Sequence, residues 1–175
     1  SEMCIRDRFL NGADTITTID LVRFMNEERF RTTVKKYYDY HKAGKLTGFL
    51  PMMSQHRLEM LLEEIEKPTC NSLGSFLEKF RIEYHVADAS KIPLNDGSFD
   101  LITSNNTFEH IYVEALEGIL KEFKRLCKKG GVMSHSIDLS DHFQHMDNSI
   151  TIYNFLKYSE AQWKWINNSI WLTAC

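Results

Sequence analysis

Little in this chain marks a special environment. Its four cysteines, Cys4, Cys70, Cys127 and Cys175, are scattered and include no C-x-x-C pair. That argues against a zinc site and leaves reduced thiols in a cytoplasmic protein as the expectation. Neither sign of charge is in excess: 21 Lys and Arg stand against 24 Asp and Glu, a net −3. There is thus no electrostatic footprint for nucleic acid or an anionic membrane. The longest apolar runs fall far short of the roughly 20 residues a spanning helix needs. Arg6, Asp7 and Arg8 interrupt the start, which excludes a signal-peptide pattern there. The eight glycines are spread out, with only Gly130 and Gly131 adjacent. Internal repeats and low-complexity tracts are absent. With 43% hydrophobic and 26% charged residues, the 175-residue chain is ordinary for a globular protein and long enough to bury a real core as one domain.

What is present is periodicity. Arg81–Asp88 sets Ile82, Tyr84 and Val86 at every second position, a strand period. Asn95-Asp-Gly-Ser98 is turn chemistry, because Gly97 tolerates positive φ and Asp96 can bond the local backbone. Phe99–Ser104 reads as a second strand. Tyr112–Lys129 places Val113, Leu116, Ile119, Leu120, Phe123, Leu126 and Cys127 on one helical face. Lys128 and Lys129 suit the negative end of that helix, and Gly130-Gly131 is expected to close it. Val132–Leu139 reads as a third strand. A strand–helix–strand unit of this length predicts a right-handed crossover in a parallel sheet.

Upstream, Phe9–Asp14 reads as a helix end with Gly12 as a left-handed cap, and Thr15–Asp20 as a short β-branched strand. Helices are predicted over Glu27–His41 and Pro51–Glu66, the second stopped by Pro68, with a shorter amphipathic stretch through Leu73, Phe76, Leu77 and Phe80. Met52, Met53 and Met60 are expected to pack rather than to line a substrate pocket. Downstream, Ile150–Ile166 is aromatic-rich and Ser159-Glu-Ala-Gln162 reads as a helix start. Those aromatics suit a core or a cover over the strand ends, or else a substrate lid.

In open parallel sheets ligands bind beyond the carboxyl ends of the strands. Here those ends are Asp88-Ala89-Ser90, Ser104–Thr107 and Asp138-Leu139-Ser140. All are polar, as ligand sites require, though solvent exposure and helix capping ask for the same residues. His142-x-x-His145-x-Asp147, with Asp138 or Asp141, has side chains that could meet a divalent metal. The same residues serve as caps at a loop and helix start, and no metal is assigned.

The run Val86-Ala-Asp-Ala-Ser-Lys-Ile-Pro-Leu-Asn-Asp-Gly-Ser-Phe-Asp-Leu-Ile-Thr-Ser-Asn-Asn-Thr-Phe-Glu-His-Ile111, followed by Leu120-Lys-Glu-Phe-Lys-Arg-Leu-Cys-Lys-Lys-Gly-Gly131, resembles the class I, Rossmann-like, S-adenosylmethionine-dependent methyltransferases. The pieces stand in the family's order. The resemblance implies an α/β fold with a mostly parallel sheet of about four strands flanked by helices. It implies S-adenosylmethionine as cofactor, with Asp20, followed by Leu21, holding the ribose. Asp88 and Ala89 would sit at the adenine, the carboxylate accepting from the exocyclic amine and Ala89 supplying a backbone donor. Ser104 and Asn105 would line the methionine half and the methyl group. Asp20 could also cap the next helix or face solvent. Glu109 and His110 are nearby titratable candidates for proton handling, and both can equally cap the helix that begins near Tyr112. Methyl transfer from a sulfonium is an in-line displacement with a good leaving group, so positioning matters most. The acceptor is expected to be a small molecule, with no nucleic-acid or membrane partner.

The family's G-x-G-x-G loop, and the mid-sheet first strand it follows, have no counterpart in the sequence. Its last strand pair is missing too. Residues 1–8 resemble translated sequencing-adapter read-through and are expected to be a non-native or disordered leader, and Ile170–Cys175 stops without a cap. The expectation is a partial methyltransferase domain over residues 9–175, truncated at both ends. It would carry helical insertions near residues 45–73 and 140–168, bind the cofactor weakly or not at all, and be inactive on its own. The alternative is a catalytically inactive Rossmann-like binding or scaffolding domain. A nicotinamide or nucleotide-sugar protein is disfavoured, because no Tyr-x-x-x-Lys or second glycine motif is present. With the first strand gone, the sheet is expected to close, Thr15–Asp20 pairing directly with Phe99–Ser104. Unpaired buried backbone groups at open edges would otherwise cost about 1–3 kcal/mol each. Direct pairing of Arg81–Asp88 with Phe99–Ser104 would contradict the methyltransferase reading.

Overall fold

The computed structural model describes residues 2–167. Helix α1 spans Glu2–Leu10 and buries Ile5, Phe9 and Leu10, while the Tyr37 hydroxyl donates to the Asp7 carboxylate. Residues 2–8, expected as a non-native or disordered leader, lie in this helix, where Ile5 reaches the same core as Phe9 one turn later. Gly12, at φ +94°, turns the chain out of α1. Arg57 pins that turn by donating to the carbonyls of Phe9 and Ala13 and lying over the Phe9 ring.

Strand β1, Ile16–Asp20, then leads into α2, Glu27–Lys42. Asn26 opens α2 by accepting from the Arg29 N–H, with Glu27 and Glu28 in the first turn and His41 and Lys42 in the last. Each charge suits its end of the helix dipole. A short helix, α3 (Leu46–Phe49), and α4 (Gln55–Glu66) come next. Helix α4 starts later than Pro51 because the Ser54 side chain supplies the cap. Met53 and Met60 pack on the core while Met52 points to solvent. Helix α5, Leu73–Lys79, starts on a Ser72–Ser75 capping box. The stretch 45–73 thus completes the main core through Leu46, Leu50, Leu58, Leu61 and Cys70.

Beneath these helices β1 pairs in parallel with β2, Ile82–Val86, in the register Ile16↔Ile82, Thr18↔Tyr84 and Asp20↔Val86. A second pair joins β3, Phe99–Asn105, to β4, Cys127–Ser136, with α6, Val113–Leu126, between them in sequence. Contacts advance in the same sense along both strands, from Gly97 N–Arg125 O through Asp100–Lys128 to Ser104–His135, which is a parallel crossover. Four strands flanked by helices are as expected, and β2 does not pair with β3.

Two expectations are corrected. The sheet has not closed: among the described residues the strands form two separate two-stranded sheets, with no ladder between β1 and β3. The two halves meet through side chains, Ile19 of β1 packing on Ile92, Ile102 and Leu126. Closing the ladder would have forced the helices above it together, and side-chain contact leaves them where their own packing sets them. Nor does Gly130-Gly131 close α6. The helix passes straight into β4 at Cys127, which is already extended at φ −74°, ψ 130°. Gly131 is needed inside the strand instead, where a Cβ would lie 2.8 Å from Cys127 Sγ and 3.1 Å from the Asp100 carbonyl.

The chain divides into two compact units, residues 1–135 and 136–175. The second is built from local turns: Asp138, Asp141 and Asp147 each accept a backbone N–H two residues on. Helix α7, Glu160–Asn167, starts where Ser159 and Gln162 bond each other. The side chains of His142, His145 and Trp163, and all of Ile170–Cys175, lie outside the described residues. No described helix is long and apolar enough to cross a membrane.

Candidate functional site

Parallel pairing puts the carboxyl ends of β1 and β2 side by side. Asp20 is opposite Val86, and the Ala87 N–H donates to the Asp20 carbonyl, so Asp88 emerges beside Asp20 at one sheet edge. The Asp20 carboxylate takes no hydrogen bond from any described residue. It opens onto a cavity of about 810 Å³ lined also by Thr18 of β1 and by Asn26, Arg29, Thr32 and Lys36 of the α2 region. Leu21 is largely exposed, at 74%. The loop from β1 to α2 is held from below: the Tyr84 hydroxyl accepts from the N–H groups of Phe24 (3.0 Å) and Met25 (3.3 Å).

Asp88 is exposed and already partly engaged. Its Oδ1 accepts the Ser90 N–H at 2.8 Å, and the hydrogen bonds from Ser90 hold its carboxyl below the usual carboxylate range. The carboxylate has further acceptor capacity for an outside donor. Ala89 sits half-buried in the same turn. Arg125 anchors the segment between this turn and β3. It donates to the carbonyls of Ile92 and Leu94 and to Asp96 and Glu122, while Glu122 accepts the Ile92 N–H. That clamp fixes the path of the chain from Asp88 to the start of β3.

At the carboxyl end of β3, Asn105 is exposed and Ser104 is half-buried. Ser104 Oγ lies 2.8 Å from Nδ1 of His135 on β4. The imidazole stacks on Phe108 at 4.4 Å between centroids and on Phe123 at 5.9 Å, and burial pushes it below its usual pKa. Its Nε2 is enclosed with no hydrogen-bond partner among the described residues. Glu109, in the 3-10 turn Phe108–His110, has both carboxylate oxygens enclosed and likewise unpartnered, whereas His110 is exposed.

Residues 53–134 match a family model described as a methyltransferase domain. Over these residues, a little under half of the chain, the protein is similar to a class I methyltransferase domain. No curated protein and no solved structure matched. The matched residues include Asp88, Ala89, Ser104, Asn105, Glu109 and His110, while Asp20 and Leu21 lie upstream of them. The fold thus gathers Asp20 and Asp88 at one edge, and places Ser104 with a partner that sequence reasoning missed. Nothing in periodicity distinguishes His135, which stands at a strand position like any other. Tyr84 was legible as a strand residue, but its hydroxyl contact with residues 24–25 depends on the fold alone.

The fit of S-adenosylmethionine to these residues can be tested on Asp20. A carboxylate without an internal donor, beside a cavity and next to a second carboxylate at the same strand edge, suits ribose hydroxyls and an exocyclic amine. Among the described residues no cluster of three His, Cys, Asp or Glu side chains is placed to hold a metal ion.

Proposed function

We propose that this protein transfers a methyl group from S-adenosylmethionine to a small-molecule acceptor in the cytoplasm, where Cys70 and Cys127 remain free thiols. Asp20 accepts from the ribose hydroxyls, with Leu21 beside it. Asp88 and Ala89 meet the adenine, and Ser104 and Asn105 line the methionine half. The cofactor, when bound, supplies an activated methyl group on a sulfur that leaves readily. The residues named have only to orient it and exclude water. For any proton lost by the acceptor, Glu109 and His110 are the nearby candidates, the Glu109 carboxylate enclosed without a donor among the described residues and His110 exposed. The observation that carries the reading is the unpartnered Asp20 carboxylate beside Asp88 at the edge of two parallel strands, in a chain whose later strands match a methyltransferase domain.

Nuclear magnetic resonance titration tests it. S-adenosylmethionine and adenosine are expected to shift the Leu21 and Ala89 amides of the labelled chain in a saturable way, with low affinity because no glycine-rich loop cradles the methionine. Asp20→Ala should weaken binding by roughly 1–3 kcal/mol. Asp88→Ala should weaken adenosine while leaving free methionine unaffected. Equal affinity in the Asp20→Ala chain would overturn the ribose role.

A further inference from the structure

His135 poses a choice between two tautomers. The ring is walled by Phe108 and Phe123, and burial disfavours its charged form; Nδ1 lies 2.8 Å from Ser104 Oγ, and Nε2 is enclosed without a partner among the described residues. If the proton sits on Nε2, a buried N–H is stranded, and Nδ1 accepts the Ser104 hydroxyl. If it sits on Nδ1, only a lone pair is stranded, and Ser104 Oγ accepts from the ring. Orphaned buried N–H groups are the rarer of the two in folded proteins. Charging the ring would strand an N–H and bury a cation as well. Both costs point to the Nδ1–H form. In that form Ser104 has spent a lone pair inward, and its O–H is free to point away from His135.

We propose that His135 is a positioning residue that fixes Ser104 as an outward hydrogen-bond donor at the carboxyl end of β3, aimed at an anionic oxygen of the ligand bound there. The pair is therefore a fixed donor and not a base. The ligand half of this inference rests on the cofactor reading given above, since that reading puts a carboxylate-bearing ligand at this strand end. The donor half rests on the geometry of β3 and β4 alone. Sequence offered no sign of it, because Ser104 and His135 are 31 residues apart and meet only through the crossover.

The experiment uses the whole chain labelled with nitrogen-15 and two readouts. Imidazole nitrogen shifts between pH 6 and 8 should report a neutral His135 protonated at Nδ1. An Nε2-protonated or cationic ring overturns the donor. S-adenosylhomocysteine is then titrated at millimolar concentration. His135→Asn keeps an N–H near the Nδ1 position and should bind within twofold of the unaltered chain. His135→Gln, whose amide reaches the Nε2 position instead, and Ser104→Ala should each bind about five- to tenfold more weakly. A purely structural histidine would make the Asn and Gln variants alike, and that result overturns the proposal. Absence of binding by the unaltered chain, with the Nδ1–H form present, sinks the cofactor reading and the ligand half while upholding the donor.

Discussion

The two halves of residues 1–135 are built from the same parts and packed to different depths. Around β1 and β2, α1, α2, α4 and α5 bury sixteen described residues in one cluster, with the Phe30 ring tilted against both Phe76 and Phe80. Around β3 and β4 the cluster is Ile92, Ile102 and Leu126, while Leu101, Val132 and Met133 on the strands and Val113 and Leu120 on α6 remain exposed. Yet the sequence motifs of the methyltransferase domain are densest in the second half. Stability therefore sits mainly with one strand pair and recognisable chemistry with the other. A strand pair with helices on one face hides its apolar side chains there and shows the rest to water. The second half relies on polar clamps instead, chiefly Arg125 with Glu122 and Asp96.

This contrast can be broken most sharply in the first core. Phe76→Ala removes a ring that is almost fully buried against Phe30, and it should cost about 3–5 kcal/mol in denaturant unfolding. A loss no greater than that of a surface truncation would mean that the first half is not the stable one.

Next in size is Glu64, buried in α4. It accepts from the Thr69 and Cys70 N–H groups, the Thr69 hydroxyl and Lys79 Nζ. Burial alone pushes its carboxyl up, but the Lys79 ammonium, the Cys70 N–H and the Thr69 hydroxyl outweigh it and bring the value from 4.5 down to about 2. A carboxylate lowered in the fold stabilises fully above its unfolded value. Its contribution is therefore intact above pH 4.5 and lost as pH falls toward about 2. Glu64→Gln should cost roughly 2–3 kcal/mol at pH 7 and flatten the acid limb of the stability curve. An unchanged acid limb would place the acid sensitivity elsewhere, with Glu122, also held at about 2 by Arg125 and the Ile92 N–H, as the next group to test.

Gly131→Ala probes the second half at its tightest point. The added methyl meets the Cys127 sulfur and two backbone carbonyls, so a loss of roughly 1–2 kcal/mol is expected by thermal melting. An Ala that melts like the parent would show that β4 can shift away from β3. The smallest effect should come from Val132→Thr, at a strand position 56% exposed, changing stability by about 0.5 kcal/mol or less. A loss comparable to that of Phe76→Ala would reveal that this apolar face is covered in solution and would erase the contrast.

Much of this was legible in the chain. Alternating Ile82, Tyr84 and Val86, the helical stripe through Ile119, Phe123 and Leu126, and the Ser, Asn and Gly punctuation located the first three strands and the principal helices of residues 1–135, whereas β4 was expected at Val132–Leu139 and runs over Cys127–Ser136. These are local signals, set by side-chain period and by the dihedral preferences of a few residues. Asp20 and Asp88 were readable as strand-end carboxylates for the same reason. What only the tertiary structure decided was which strands pair and which side chains meet across long separations. Two ladders formed where one sheet was expected, because side-chain packing through Ile19 could join the halves without moving their helices. Gly131 stands inside β4 rather than capping α6, where a Cβ would crowd Cys127 Sγ at 2.8 Å and the Asp100 carbonyl at 3.1 Å. Tyr84 beneath residues 24–25, and His135 against Ser104, arise from strand order and register, and no local period in a sequence encodes those.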